Sequence, residues 1–194
     1  MNSEYLKACL VSYFRFKRGV SLLATECGWF SADVLFVRKQ RLHEVEIKTS
    51  WSDFKADFKK PKHEFFLKGV VHPSMKEMVY AKDNNGRYIL ENGYAKRVGK
   101  KLCSVYKCSN PHYFSFAVPE VLGEKILKEL ESNYPEYGLY SISDLPYYPN
   151  AVRVLKRPRL LHNNKLSGRI KKTILARLSS EMARERIKHL ESLK

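Results

Sequence analysis

The stretch ADVLFVRKQRLHEVEIKTS, residues 32–50, decides how this chain folds. ADVLFV is a continuous apolar run with strand character, LHEVEIK alternates strictly between apolar and polar, and the loop RKQR at 38–41 separates them. Paired antiparallel around that loop, Val37 faces Leu42, and the numbers of opposed residues sum to 79. Asp33 then faces Glu46. Opposed residues share one side of a sheet with Cβ atoms ~4.5–5.5 Å apart, and Lys48, two residues beyond Glu46, shares that side at ~6.5–7 Å. Val45 and Ile47 point the other way, into the core. A slip of two residues would keep the face but separate the acids.

Two carboxylates held face to face repel each other unless a cation lies between them. A hard divalent ion such as Mg²⁺ takes oxygen ligands and keeps several waters, so it suits that gap. Lys48 beside it can activate or orient an attacking water, or stabilise charge developing on a phosphate. The plainer reading is a solvated hairpin face, on which Glu44, Glu46 and Lys48 alternate with no shared task.

Composition narrows the choice of partner. The chain has 194 residues, 44% of them hydrophobic, enough for one substantial core, so a single domain over 1–194 is expected. Thirty-six Lys and Arg against 20 acids leave a formal charge of +16, which argues for a polyanion such as nucleic acid. Residues 151–194 hold 13 basic residues against three Glu, and so ten of the sixteen net charges, in a basic C-terminal extension. No run approaches the ~18 apolar residues of a spanning helix, and Arg15, Lys17 and Arg18 stand where a signal peptide is apolar, so no membrane is expected. Four scattered cysteines argue against a secreted disulfide framework and for a reducing, cytoplasmic setting. Cys103, Cys108 and His112 are of zinc-binding type, but no fourth ligand accompanies them.

Outside the hairpin, Ser3 reads as an N-cap, and Leu6, Leu10 and Phe14 recur at helical spacing, predicting a helix over 4–17. SLLATECGWF is a strand. Ser50 with Asp53 three residues later resembles a capping box, and Phe54 and Phe58 lie four apart, so a helix starts near 51 and fades at Pro61. Residues 66–110, with turn signals at 84–86 and 92–93, read as an inserted arm. HYFSFAVP, YGLYSI and AVRVL are strands, the first two separated by a helix whose stripe is Val121, Ile126, Leu127 and Leu130. Gly168 opens a long helix with Ile170, Ile174, Leu178 and Met182 four residues apart. The order helix, three strands, helix, strand, helix, strand predicts an α/β fold with a mixed sheet.

Asp33, a strand and turn, then Glu46-Ile47-Lys48 resembles the PD-(D/E)XK nuclease superfamily, with Ala32 in place of the Pro. ADVLFV, EIKTSWSDFKADFKKPKH, YFSFAVP, EYGLYSIS and VRVLKRPRLLH, in that order, are similar to MmcB-like DNA-repair nucleases and their phage and mobile-element relatives. The similarity spans roughly residues 20–190, and the arm at 66–110 is longer than expected for the bacterial repair proteins. It implies a restriction-endonuclease-like core, αβββαβ, with a mixed central sheet flanked by helices. It also implies a metal-dependent nuclease hydrolysing DNA phosphodiester bonds in repair, recombination or mobile-element DNA metabolism, in a bacterial or phage-infected cell. Asp33, Glu46 and Lys48 are then catalytic. Mg²⁺ or Mn²⁺ is held by Asp33, Glu46 and the Ile47 carbonyl, with Glu26 a candidate further carboxylate.

Candidate contacts to nucleic acid follow. Thr49 and Ser50 stand at a helix start, where hydroxyls and free N–H groups suit a phosphate, although Ser50 also reads as an ordinary cap. Lys59, Lys60, Lys62 and His63 form a basic run, and Arg157, Arg159, Lys165, Arg169 and Lys172 belong to the basic C-terminal region. Asp53 and Asp57 read as local capping and pairing residues, while Tyr147 and Tyr148 suit either base stacking or the core. The alternative from another class is a catalytically silent, nuclease-like DNA-binding accessory module. A homo-oligomer is compatible with either reading.

Overall fold

The computed structural model describes residues 1–27, 32–70, 73–103, 110–144 and 148–192. Its centre is a six-stranded mixed sheet. In spatial order the strands are β1 (Leu22–Cys27), β2 (Ala32–Arg38), β3 (Arg41–Ile47), β8 (Tyr113–Pro119), β9 (Gly138–Ile142) and β10 (Val152–Lys156). β1, β2 and β3 run antiparallel, β8 and β9 lie parallel to β3, and β10 turns back antiparallel at the far edge. The expected α/β class and mixed sheet are therefore present.

Period-2 alternation puts two different layers on the sheet. One face carries Val34, Phe36, Val45, Ile47, Ala117, Tyr140 and Ile142, covered by α1 (Ser3–Ser12) and the π-helical turn Tyr13–Lys17 that continues it. The cap is Asn2, not Ser3: its side chain accepts the Tyr5 N–H at 2.9 Å, and Ser3 is already helical. The other face carries Phe114, Phe116, Val118 and Leu139 under α4 (Glu120–Asn133), together with α2 (Trp51–Asp57) and α3 (Pro61–Lys68). In α4, Ile126 and Leu130 are buried, whereas Val121 is 89% exposed and takes no part in the stripe.

Pro61 begins a helix instead of ending one. Ser50 caps α2 as expected, accepting the Asp53 N–H at 3.2 Å, and the chain then turns at Phe58–Lys60 into α3. Pro suits a first helical turn, where its missing N–H has no partner to lose. This break aims the two helices differently over the same end of β3.

A short turn of helix, α5 (Tyr148–Ala151), leads into β10, and the long helix that the sequence predicted is α6 (Gly168–Ser192). Ile170 and Ile174 of α6 are buried against Ala24, Leu35 and Leu42, while Met182 is 67% exposed. Glu181 accepts the Thr25 N–H at 3.0 Å and Arg177 donates to the Thr25 carbonyl at 3.0 Å, satisfying the outer edge of β1. Residues 151–194 are thus less an appendage than expected, since they supply β10 and a helix docked on the sheet.

Residues 73–103 stand apart from this sheet. They form two small antiparallel pairs, β4 (Lys76–Tyr80) with β7 (Arg97–Leu102) and β5 (Leu90–Glu91) with β6 (Tyr94–Ala95). Phe66 and Leu67 pack on the core from α3, so the arm begins later than residue 66.

Candidate functional site

The hairpin register is the one the sequence implied. Val34 pairs with Val45, Val37 with Leu42 and Arg38 with Arg41, so the sum of 79 holds along the ladder. Lys39 and Gln40 close it with φ of 49° and 59°, the double positive φ of a two-residue hairpin turn. Asp33 and Glu46 consequently fall on the same face, at the end of the hairpin away from the turn. Asp33 Oδ2 accepts the Ile47 N–H at 2.7 Å, anchoring the carboxylate against β3.

This point is also the carboxyl end of β3, where the antiparallel trio meets parallel β8, a position at which open α/β sheets commonly bind ligands. Lys48 follows directly, its backbone N–H held by the Ala117 carbonyl at 2.9 Å. Its ammonium lies 2.7 Å from Asp57 Oδ1, 3.3 Å from Glu46 Oε2 and 3.9 Å from Asp53 Oδ1.

Three residues expected elsewhere complete the cluster. Glu44, read as part of a wet face, is 2% exposed, because α3 covers that end of β3. Lys62 and His63, read as contacts to a DNA backbone, are 6% and 3% exposed and turn inward. The Lys62 ammonium bridges Glu44 Oε1 at 2.8 Å and Glu46 Oε1 at 2.5 Å. His63 Nε2 meets Asp57 Oδ2 at 2.7 Å, and its Nδ1 meets the Tyr137 hydroxyl at 2.9 Å. An ionised carboxylate only accepts, so Nε2 carries the hydrogen and Nδ1 accepts from Tyr137. Asp57, beyond local pairing, thereby links Lys48 to a His63–Tyr137 support. Lys60 approaches the same two acids, at 2.5 Å from Asp57 Oδ1 and 3.6 Å from Glu46 Oε2.

Burial pushes the Asp33 carboxyl up, against the pull of the Ile47 N–H, and pushes Glu44 up to about 7 despite the Lys62 ammonium beside it. For Asp57 burial acts in the same sense, but His63, Lys48 and Lys60 outweigh it and hold the acid far below the usual range. Burial alone would lower Lys48 and Lys62, and their carboxylate neighbours reverse that, so both ammonium groups are favoured. Burial also lowers His63, consistent with a neutral ring.

Among the described residues, no three His, Cys, Asp or Glu side chains form a ready-made metal cage. Charge still leaves room for a cation: Asp33, Glu44, Glu46, Asp53 and Asp57 are five carboxylates around three ammonium groups, Lys48, Lys60 and Lys62. Asp33 and Glu46 offer hard oxygen donors, and Mg²⁺ commonly needs only one or two carboxylates beside its waters. Lys60, 43% exposed, is the ammonium best placed to withdraw. The donor set therefore fits a divalent ion.

The remaining candidates lie as follows. Glu26, at φ of 48°, turns its carboxylate to Lys7 of α1 at 2.5 Å and is engaged there. Thr49 is exposed, and the Ser50 hydroxyl is committed to the α2 cap. Lys59, Arg157, Arg159, Lys165, Arg169 and Lys172 are exposed. His112 has both ring nitrogens occupied, by the Leu42 N–H at 3.0 Å and the Asn164 carbonyl at 2.7 Å, so it is no zinc ligand here. Cys108, Tyr147 and the Tyr148 side chain lie outside the described residues.

No family model and no curated protein matches the chain. Among solved structures it is similar to the SPO1766 protein of unknown function from Silicibacter pomeroyi, at 14% identity and a TM-score of 0.52, over 98% of this chain and 92% of that one. That likeness concerns the fold. No helix among the described residues is long and apolar enough to cross a membrane.

Proposed function

We propose that the chain is a metal-dependent nuclease of the PD-(D/E)XK type, with a restriction-endonuclease-like core, hydrolysing DNA phosphodiester bonds. The observation that carries this reading is the convergence of Asp33, Glu46 and Lys48 at the carboxyl end of β3, in the register their spacing implied. Asp33, Glu46 and the Ile47 carbonyl would hold Mg²⁺ or Mn²⁺. Such an ion, when bound, polarises a phosphoryl oxygen and acidifies water.

The chain's own residues do the rest. Lys48, fixed between Glu46 and Asp57, presents an ammonium to charge developing on the phosphate or orients the attacking water. Asp57 positions Lys48, and His63 with Tyr137 positions Asp57. Lys59 and the exposed cations Arg159, Lys165, Arg169 and Lys172 supply contacts to the sugar-phosphate backbone that carry little sequence information. The fit to DNA repair, recombination or mobile-element DNA metabolism rests on the sequence resemblance.

The test is incubation with supercoiled, linear, branched and single-stranded DNA, with Mg²⁺, Mn²⁺ or EDTA. Metal-dependent products that vanish in Asp33→Ala and Lys48→Ala, with DNA binding retained, uphold the enzyme. One observation favours the DNA-binding accessory module instead: Glu46 is only 2% exposed and already faces three ammonium groups. Binding without cleavage on every substrate and metal would select that reading.

A further inference from the structure

The sheet face opposite the carboxylates, at the other end of the same strands, holds a cavity of about 490 Å³. Small-molecule sites span ~300–1,000 Å³. Phe36 of β2 is opposed to His43 of β3, and His43 to Tyr113 of β8. The three rings stack as a ladder across the sheet, with centroids 4.5 and 4.6 Å apart and interplanar angles of 9° and 21°.

Three guanidinium groups, Arg18, Arg38 and Arg157, line the same cavity, and among the described residues no Asp or Glu does. All three side chains are exposed, and none forms an ion pair with a described carboxylate; Arg18 lies over the Tyr13 ring, at 6.0 Å, and near Tyr140. The buried cations Lys7, Lys48 and Lys62, by contrast, each contact a carboxylate directly. What sets these three arginines apart is that they converge on one cavity with the ring ladder. Burial, with Arg38 nearby, lowers His43 to about 3, so the middle rung is a neutral ring at ordinary pH.

We propose that this cavity binds a nucleoside phosphate, the planar base against Tyr113, the end rung of the ring ladder, and the phosphate on Arg18, Arg38 and Arg157. Guanidinium forks match phosphate oxygens in pairs, and base faces stack on aromatic rings without regard to sequence. The shared chemistry admits a free nucleotide or the end of a nucleic-acid strand. The site is independent of the nuclease reading, since it uses the opposite face and the opposite strand ends.

The probes are nucleoside 5′-monophosphates, nucleosides, inorganic phosphate, and short single-stranded oligonucleotides with and without a 5′-phosphate, followed by calorimetry and amide chemical shifts. Expected is binding by the monophosphate or by the phosphorylated strand end, at least about tenfold tighter than by nucleoside or phosphate alone, with shifts at residues 36, 43 and 113. Tyr113→Ala and the surface double variant Arg38→Gln/Arg157→Gln should each weaken it about tenfold or more. Asp33→Ala should leave it unchanged. Response to the free monophosphate assigns the free source; response only to the phosphorylated oligonucleotide assigns the strand source. The proposal is overturned if no nucleoside phosphate binds at millimolar concentration, if inorganic phosphate binds equally well, or if the arginine variant, folded as judged by its melting curve, binds undiminished.

Discussion

Lys62→Met provides a stringent test of the buried charge cluster. The Lys62 side chain is 8% exposed, and its ammonium is the shared partner of Glu44 and Glu46, themselves 2% and 3% exposed. Methionine keeps the unbranched stem of the lysine but removes the ammonium that lies 5.2 Å from the Phe114 ring centroid. Two buried carboxylates then face each other. Glu46 retains Lys48 and Lys60, whereas Glu44 loses the single cation it contacts. Removing one partner of a buried ion pair costs about 3–5 kcal/mol, and in a chain of this size each kcal/mol moves Tm by about 2–4 °C. A fall of roughly 6–20 °C is expected by calorimetry near pH 9, where Glu44 is ionised in the parent.

The sign with pH is fixed by Glu44. Its carboxyl sits above its ordinary value of 4.5, at about 7, and loss of Lys62 pushes it higher. A group raised on folding contributes stability that is complete below the unfolded pKa and is lost as pH rises through the folded one. The deficit of Lys62→Met should accordingly be small near pH 4.5 and grow above pH 7. Glu44→Gln in the same background should recover part of it, and Mg²⁺ should raise Tm more in Lys62→Met than in the parent. A Tm within about 2 °C of the parent near pH 9, with no recovery from Glu44→Gln, refutes the reasoning.

Three further outcomes are expected. Gly138→Ala would place a Cβ 2.5 Å from Ser115 Oγ and 2.9 Å from the Pro158 nitrogen, so it should cost about 1–3 kcal/mol, read by urea unfolding; a neutral result would mean that β9 is free to shift. His43→Phe keeps a flat ring between Phe36 and Tyr113 and removes a base whose pKa falls from 6.5 to about 3 on folding. A group lowered on folding costs stability as pH drops below its unfolded pKa, so the variant should gain on the parent between pH 6.5 and 4, and parallel melting profiles would contradict this. Gln40→Gly relieves one of two positive-φ non-glycine residues in the hairpin turn, at 59°, and should stabilise by about 0.5–1 kcal/mol in the same assay, since the Lys171 contact it loses is exposed.

The hairpin was legible because two signals agreed: strict alternation in LHEVEIK, which fixes the face, and a short loop that brings Val37 opposite Leu42. That agreement placed Asp33 opposite Glu46 and oriented both relative to Lys48. Alternation reports which residues share a face, however, and not what covers that face. Glu44 reads as solvated by its neighbours in sequence, yet α3 closes over it and delivers Lys62. The cover was hard to see because Pro61 suggests an ending when it lies inside one helical pattern, while at N1 it starts a second helix in a new direction. Once α3 is recognised, Lys62 and His63 fall on the inward side and stop being surface cations. Asp57 does pair locally, with Lys60, but its further partner His63, itself held by Tyr137, comes from beyond the break. The ring ladder had a sequence signal that pairing made visible only in retrospect: Phe36 and His43 also sum to 79.

Stability alone gives a poor account of what lies at the carboxyl end of β3. The same face, one or two residues away, is built from Leu35, Phe114, Phe116 and Leu139, which pack with no charge to neutralise. Buried ion pairs often contribute no more than apolar residues of equal volume and sometimes less. A sequence shaped only to hold this sheet together would continue the apolar layer through Glu44, Glu46 and Lys62. It places instead five carboxylates and three ammonium groups there, with Asp57 and His63 spending their hydrogen bonds on holding one of the lysines in place. The acids outnumber the cations, and two of the carboxylates, Asp33 and the exposed Asp53, lie at the rim. An arrangement that is costly, incompletely neutralised and open on one side is the kind that strongly perturbed functional groups require, and it places the weight of the argument on chemistry at that rim.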